Sequence, residues 1–225
     1  MTMNVTEAVL SRASARAYLD KPVDHALLRT ILATALRAPS GGNVQPWHIH
    51  VLTDEARKNF TQRIMTSFAE TPMGESPNPG MYPEPLPDPF KERRAVCGTM
   101  LYDALAIPKE DKKGRIAQAL KNYEFFGAPV GLIFTVPSIM LESQAIDIGI
   151  LMQTIMLLAR DHGLDTCPQV IWRMWPQTIR SALNIDDSHH VMGGMCLGYA
   201  DTASPVANLG IPRAALEDIV TFHDA

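Results

Sequence analysis

Arg37-Ala38-Pro39-Ser40-Gly41-Gly42-Asn43-Val44-Gln45-Pro46-Trp47-His48-Ile49-His50-Val51 joins a helical pattern to a β-type run, and the rest of the chain is organised around it. Gly41 and Gly42 let the backbone come close to a ligand, Ser40, Asn43 and Gln45 carry neutral hydrogen-bonding groups, and Pro39 and Pro46 stiffen both ends. The stretch reads as a rigid polar cradle held between two packed elements. Taken alone, the same residue types also suit any sharp connection.

A second stretch lies upstream: Ser11-Arg12-Ala13-Ser14-Ala15-Arg16-Ala17-Tyr18, then Lys21-Pro22-Val23. A helical pattern of Leu27, Leu28, Ile31, Leu32 and Ala35 follows and runs into Ala38-Pro39. A helical backbone would put Arg12 and Arg16 on one face, whereas an extended one would put Arg12, Ser14 and Arg16 together. Either geometry gathers two positive charges and a hydroxyl around one phosphate.

The 225 residues are 46% hydrophobic and 20% charged, which fits one globular domain over 1–225 with a sizeable core. A net charge of −4 provides no field for nucleic acid or an anionic membrane, so any basic ligand site must be local. The N-terminus lacks a secretory signal, and no apolar run reaches the roughly 18 residues that span a bilayer. A cytoplasmic protein is expected. Cys97, Cys167 and Cys196 contain no Cys-x-x-Cys pair, which points to reduced, mostly buried thiols rather than a disulfide framework or a zinc site. His189-His190 lacks further ligands at metal spacing and reads as a solvated turn.

Taken in order, the patterns predict a helix over 4–19 and a second over 25–38 with Asp24 as its N-cap. A strand from Trp47 to Leu52 precedes a third helix over 54–69, capped by Thr53 or Asp54. Residues 71–90 form a Pro-rich excursion that excludes helix and central strand, and serves either to cover a pocket or interface or as plain surface. Helices follow over 91–106 and from Pro108 through 114–126. Val130–Val136 is apolar throughout, as in a central strand buried on both faces. The segment 143–162 is apolar nearly all round, suited to a core or a subunit interface, and Gly163 ends it. A loop and apolar run over 164–172, a short helix from Pro176 to Leu183 and a strand from Val191 to Ala200 complete the pattern.

The order Arg-x-Ser-x-Arg, Pro-Val, helix, Ala-Pro-Ser-Gly-x-Asn-x-Gln-Pro-Trp resembles the FMN-dependent nitroreductase family. The resemblance continues through Phe126-Gly127-Ala128-Pro129-Val130, the segment from Leu157 to Thr166, and Leu197-Gly198-Tyr199-Ala200-Asp201 with Arg213 and Leu216-Glu217. The Pro-rich insertion and the segment from Leu164 to Trp172 are most similar to the nitrobenzene reductase branch. The resemblance implies an α+β fold with a central antiparallel sheet flanked by helices. It also implies an intertwined homodimer with two FMN molecules at the interface and a C-terminal segment that reaches onto the partner.

On the same resemblance, Arg12, Ser14 and Arg16 approach the phosphate and pyrimidine edge of one flavin, with Arg213 near the phosphate. Pro39, Ser40, Gly41 and Asn43 come from the other subunit, and Pro168, Gln169 and Val170 pass close to the ring. Counting without gaps, Lys121 falls where relatives carry a contact before the central strand, and Ile211 falls where they often carry a second basic residue. The implied activity is two-electron, ping-pong reduction of a small nitroaromatic or quinone-like compound, with NADH or NADPH as donor. No catalytic acid or nucleophile is assigned, because the cofactor carries the chemistry. Tyr82, Phe126 and Trp172 are candidate pocket walls that would equally suit a core. The alternatives are a reductive dehalogenase or flavin-fragmenting enzyme of the same fold, or a flavin-binding protein without turnover.

Overall fold

The computed structural model describes residues 3–75 and 81–223. At its centre is β2 (Val130–Pro137), in which every residue from Val130 to Val136 is buried, as its unbroken apolar sequence requires. β1 (His48–Thr53) and β4 (His189–Gly198) flank it, and β3 (Asp165–Gln169) completes an antiparallel sheet in the order β1-β2-β4-β3. His48 faces Thr135 across the first pair, and Cys167 faces Cys196 across the last.

Alternation along β2 divides the core in two. Leu132 and Phe134 meet Leu28, Ile31 and Ala35 of α2 (His25–Ala35) and Ile148, Leu151, Ile155 and Ala159 of α6 (Gln144–Asp161). Ile133 points the other way, into a cluster with Phe60 and Ile64 of α3 (Asp54–Glu70), Ile179 of α7 (Pro176–Leu183) and the indoles of Trp172 and Trp175. Helices therefore cover both faces of the sheet. The remaining helices are α1 (Val5–Ser11), α4 (Phe90–Ala104) and α5 (Lys112–Leu120). Among the described residues no helix is long and apolar enough to cross a membrane.

Several local signals act as expected. The Asp24 carboxylate accepts from Leu27 N–H at 2.8 Å and opens α2. Pro176 sits in the first turn of α7, and Gly163 takes φ +71 just past α6. α6 is less enclosed than expected, since Ile146 is 67% exposed while Asp147 and Ile148 are buried.

Other elements depart from expectation. The predicted helix over 4–19 stops at Ser11, and the chain then runs extended from Arg12. Its amides find partners far away, with Ala15 N–H donating to Thr166 O, Arg16 N–H to Val206 O and Leu19 N–H to Tyr199 O. These tertiary bonds replace the helical ladder. α5 ends at Leu120, and a 3-10 turn over Lys121–Gly127 places Phe125 and Phe126 at φ 52 and 53. Such values are costly for bulky residues. Here they drive the Phe125 ring into the core, 4.7 Å from the Trp172 indole. Neither Thr53 nor Asp54 makes the expected cap bond for α3. His189 and His190 are strand residues opposite Pro137 and Val136, not a solvated turn.

The Pro-rich excursion is anchored on both sides of residues 76–80, which lie outside the described residues. On the near side Glu75 accepts from the N–H groups of Gln177 and Thr178 and from the Thr178 hydroxyl, which caps α7. On the far side Arg94 of α4 stacks 4.2 Å over the Tyr82 ring.

Candidate functional site

An extended strip from Arg12 to Tyr18 lies along the outer edge of β3. Ser14 bridges Thr166 in parallel fashion, and Tyr18 bridges Ala200 antiparallel. An extended backbone alternates its side chains, so Ala15 is buried while Arg12, Ser14 and Arg16 project together on the opposite side, half-buried. Of the two backbone geometries compatible with Arg-x-Ser-x-Arg, the chain adopts the one that brings all three to one face. Arg16 Nη1 donates to Ser14 O at 3.1 Å, which fixes its guanidinium against the strip.

The electrostatics of this face are one-sided. Partial burial pulls the Arg12 guanidinium below the ordinary arginine range, and the charge of Arg213 adds to the effect. Arg213 lies on the C-terminal segment, where its Nη1 donates to Ile211 O at 2.7 Å. Asp165, the acid that opens β3, is held by Arg160 at 2.7 Å. Among the described residues, Arg12, Arg16 and Arg213 take part in no ion pair. Arg12 feels the positive charge of Arg213, and a face that carries arginines in this way suits an anion.

The end of β3 completes this side. Pro168 and Val170 are exposed, whereas the Gln169 side chain is turned inward and fully engaged. Its Nε2 donates to Asn122 O at 2.8 Å and to Asn122 Oδ1 at 3.1 Å, and its Oε1 accepts from Trp172 Nε1 at 3.0 Å and Cys196 Sγ at 3.2 Å. Its side chain is therefore committed within the protein. Lys121 is exposed and adjacent to Asn122, so the 3-10 turn brings it toward the same end of the strand.

The Gly41 cradle forms a separate structure. Asn43 N–H donates to Ser40 O, Val44 N–H to Gly41 O and Gln45 N–H to Ser40 Oγ, which closes a tight turn. Gly42 and Asn43 both have φ 57, a region that glycine and asparagine tolerate. Pro46 and Trp47 are buried behind the turn, and Pro39, Gly41 and Asn43 face outward. Among the described residues no hydrogen bond or ion pair joins the cradle to the arginine strip within one chain.

The family model described as Nitroreductase family matches residues 9–199, a span that contains both the strip and the cradle. The chain belongs to the nitroreductase family. A nitrobenzene nitroreductase from Ectopseudomonas oleovorans is 37% identical over 97% of this chain and 96% of its own length. A 4-nitrobenzoate reductase from Pseudomonas putida is 37% identical over 99% and 96%. Among solved structures, the FMN and NADPH-dependent nitroreductase NfnB from sphigopyxis sp. strain HMH superposes with a TM-score of 0.96 at 39% identity, covering 99% of this chain and all of that one. NfnB from Mycobacterium smegmatis, solved in complex with NADPH, gives 0.90 at 30% identity over 98% and 100%.

Within this member of the nitroreductase family, two of the expected wall residues lie elsewhere. Trp172 is fully enclosed by Phe60, Tyr123 and Phe125, and Phe126 is buried in the same cluster. Both are core residues, because the left-handed turn at 125–126 folds the aromatic segment under the sheet. Tyr82 is 53% exposed and packs on Arg94.

Two residues were missed. Asn122 holds Gln169 in place, and Asp147 of α6 accepts the Gly41 N–H at 3.1 Å. A lone acid within the otherwise apolar run 144–159 was the signal for the second. For Asn122 the sequence carries no signal.

Proposed function

We propose that this chain is an FMN-dependent NAD(P)H nitroreductase acting as a homodimer on small nitroaromatic compounds. The observation that carries the reading is the face of Arg12, Ser14 and Arg16 with the charge of Arg213 felt at Arg12, in which the arginines make no ion pair among the described residues and so suit the FMN phosphate. FMN held there would supply two-electron, ping-pong transfer from NADH or NADPH to a nitro group or quinone.

The chain's own residues bind and orient. Arg12 and Arg213 neutralise the phosphate, and Ser14 offers a hydroxyl beside it. Arg16 would bring positive charge to the pyrimidine edge of the ring. Pro168, Gln169 and Val170 present backbone at the ring, held rigid by the Gln169 contacts. Pro39, Ser40, Gly41 and Asn43 close the site from the second subunit, and Lys121 contributes a further cation.

A second copy also accounts for exposed apolar surface. Val5 and Leu10 of α1 are 75% and 81% exposed, and Leu216, Ile219 and Phe222 of the C-terminal segment are 57%, 63% and 70% exposed. Apolar surface on this scale calls for cover. The nitrobenzene and nitrobenzoate specificity of the two curated relatives supports a nitroarene as oxidant.

The test is an anaerobic absorbance spectrum of the purified protein, taken before and after NADPH or NADH and again after nitrobenzene. A flavin band that bleaches and then returns supports the reading. Protein that neither carries nor takes up FMN overturns it, and bleaching with recovery only on a halogenated phenol redirects it to dehalogenation.

A further inference from the structure

The Gly41 turn is exposed, yet one of its amides is bonded deep inside the molecule. Gly41 N–H donates at 3.1 Å to Oδ1 of Asp147, a residue 106 positions later in the chain and only 5% exposed. The remaining bonds of the turn, from Asn43, Val44 and Gln45, all close within it. Asp147 is therefore the polar tie between the cradle and the core helix α6. The carboxylate sits in the first turn of that helix, and its other oxygen, Oδ2, is buried without a partner.

That arrangement is expensive for stability alone. A buried carboxylate that accepts a single hydrogen bond, with its second oxygen unsatisfied, gains little to offset its desolvation. An apolar residue would serve packing as well at this position, where Ile148 and Leu151 already fill the core. A free turn built on Gly41 and Gly42 would otherwise sample many backbone states.

We infer that Asp147 is a positioning residue for the cofactor site: it holds the Gly41 turn in the conformation that receives FMN, and so lowers the ordering cost of binding. The inference rests on the proposed FMN-binding function. Asp147 acts only through the Gly41 amide and touches no reacting atom.

The test compares wild type, Asp147→Ala and Asp147→Asn as full-length proteins. Three readouts are taken: FMN affinity by fluorescence quenching, amide exchange of the segment 39–46 without FMN, and the melting temperature of the FMN-free protein. Asp147→Ala is expected to bind FMN at least tenfold more weakly and to exchange the cradle amides faster, while its melting temperature holds or rises. Asp147→Asn keeps an oxygen acceptor for Gly41 and is expected to bind FMN within about threefold of wild type. FMN binding by Asp147→Ala equal to wild type overturns the inference alone, as does an Asn variant as weak as the Ala variant. If Asp147→Ala does not fold, the comparison of Asp147→Asn with wild type decides by the same threefold limit. Wild-type protein that takes up no FMN overturns the functional reading, and this inference with it.

Discussion

Gln169 and Trp172 are locked to each other beneath the end of β3, the indole Nε1 donating to the amide Oε1 at 3.0 Å with both side chains buried. Replacing Trp172 by Phe removes the donor and leaves a buried acceptor short of one bond. The expected cost is about 1–3 kcal/mol, read as a lower urea midpoint with an unchanged slope. A midpoint equal to wild type would mean that water or Cys196 satisfies the amide alone.

Arg12 carries the phosphate in the proposed site, so Arg12→Ala should weaken FMN binding by about 1.5–3 kcal/mol, or roughly tenfold to hundredfold. Removing it also relieves its repulsion with Arg213, so the FMN-free protein should melt no lower than wild type. Fluorescence titration at two salt concentrations checks this, with the wild type more salt-sensitive than the variant. Unaltered affinity would move the phosphate elsewhere.

His50 on β1 is held below its usual range by burial first, and then by the charges of His48 and His189 nearby. The unfolded chain therefore binds a proton that the folded one resists. Stability is complete above the unfolded value of 6.5 and declines as pH falls toward the folded value. His50→Gln should flatten that decline in urea midpoints measured across mildly acid pH. A slope identical to wild type would rule out His50 as its source.

Gly131 on β2 faces the Phe125 ring so closely that an added Cβ would sit 2.5 Å from its Cζ. Phe125 is fully buried and held in a left-handed turn, so it has nowhere to retreat. Gly131→Ala should cost about 1–3 kcal/mol, seen as a drop in melting temperature of several degrees. A neutral result would show that the turn can shift.

The C-terminal segment exposes Ile219 and Phe222. If it packs on a second copy, the double substitution Ile219→Asp and Phe222→Asp should shift sedimentation toward a single-chain mass at micromolar concentration. A mass equal to that of wild type would place any interface elsewhere.

Elements governed by local chemistry were legible in the sequence. α7 starts at its proline, α2 at Asp24, and β2 follows from an apolar run that only a central strand can bury. The arginine strip was legible as a set of residues but not as a backbone state, because its partners, Thr166, Tyr199 and Val206, come from the opposite end of the chain. The same applies to Asp147 and Asn122, whose roles depend on contacts that no local pattern encodes. Phe126 and Trp172 were ambiguous between wall and core. What places them is the left-handed pair at 125–126, which bulky residues reveal only in three dimensions.

The strip ties the arginine face to the folding of the whole chain. Arg12, Ser14 and Arg16 share one face because Ala15 N–H donates to Thr166 O and Arg16 N–H to Val206 O, far later in the chain. Pairings of such long sequence separation form late. Before those pairings form, the three side chains are present in the chain but share no face. An assembled arginine face is therefore a product of completed folding and not of local sequence.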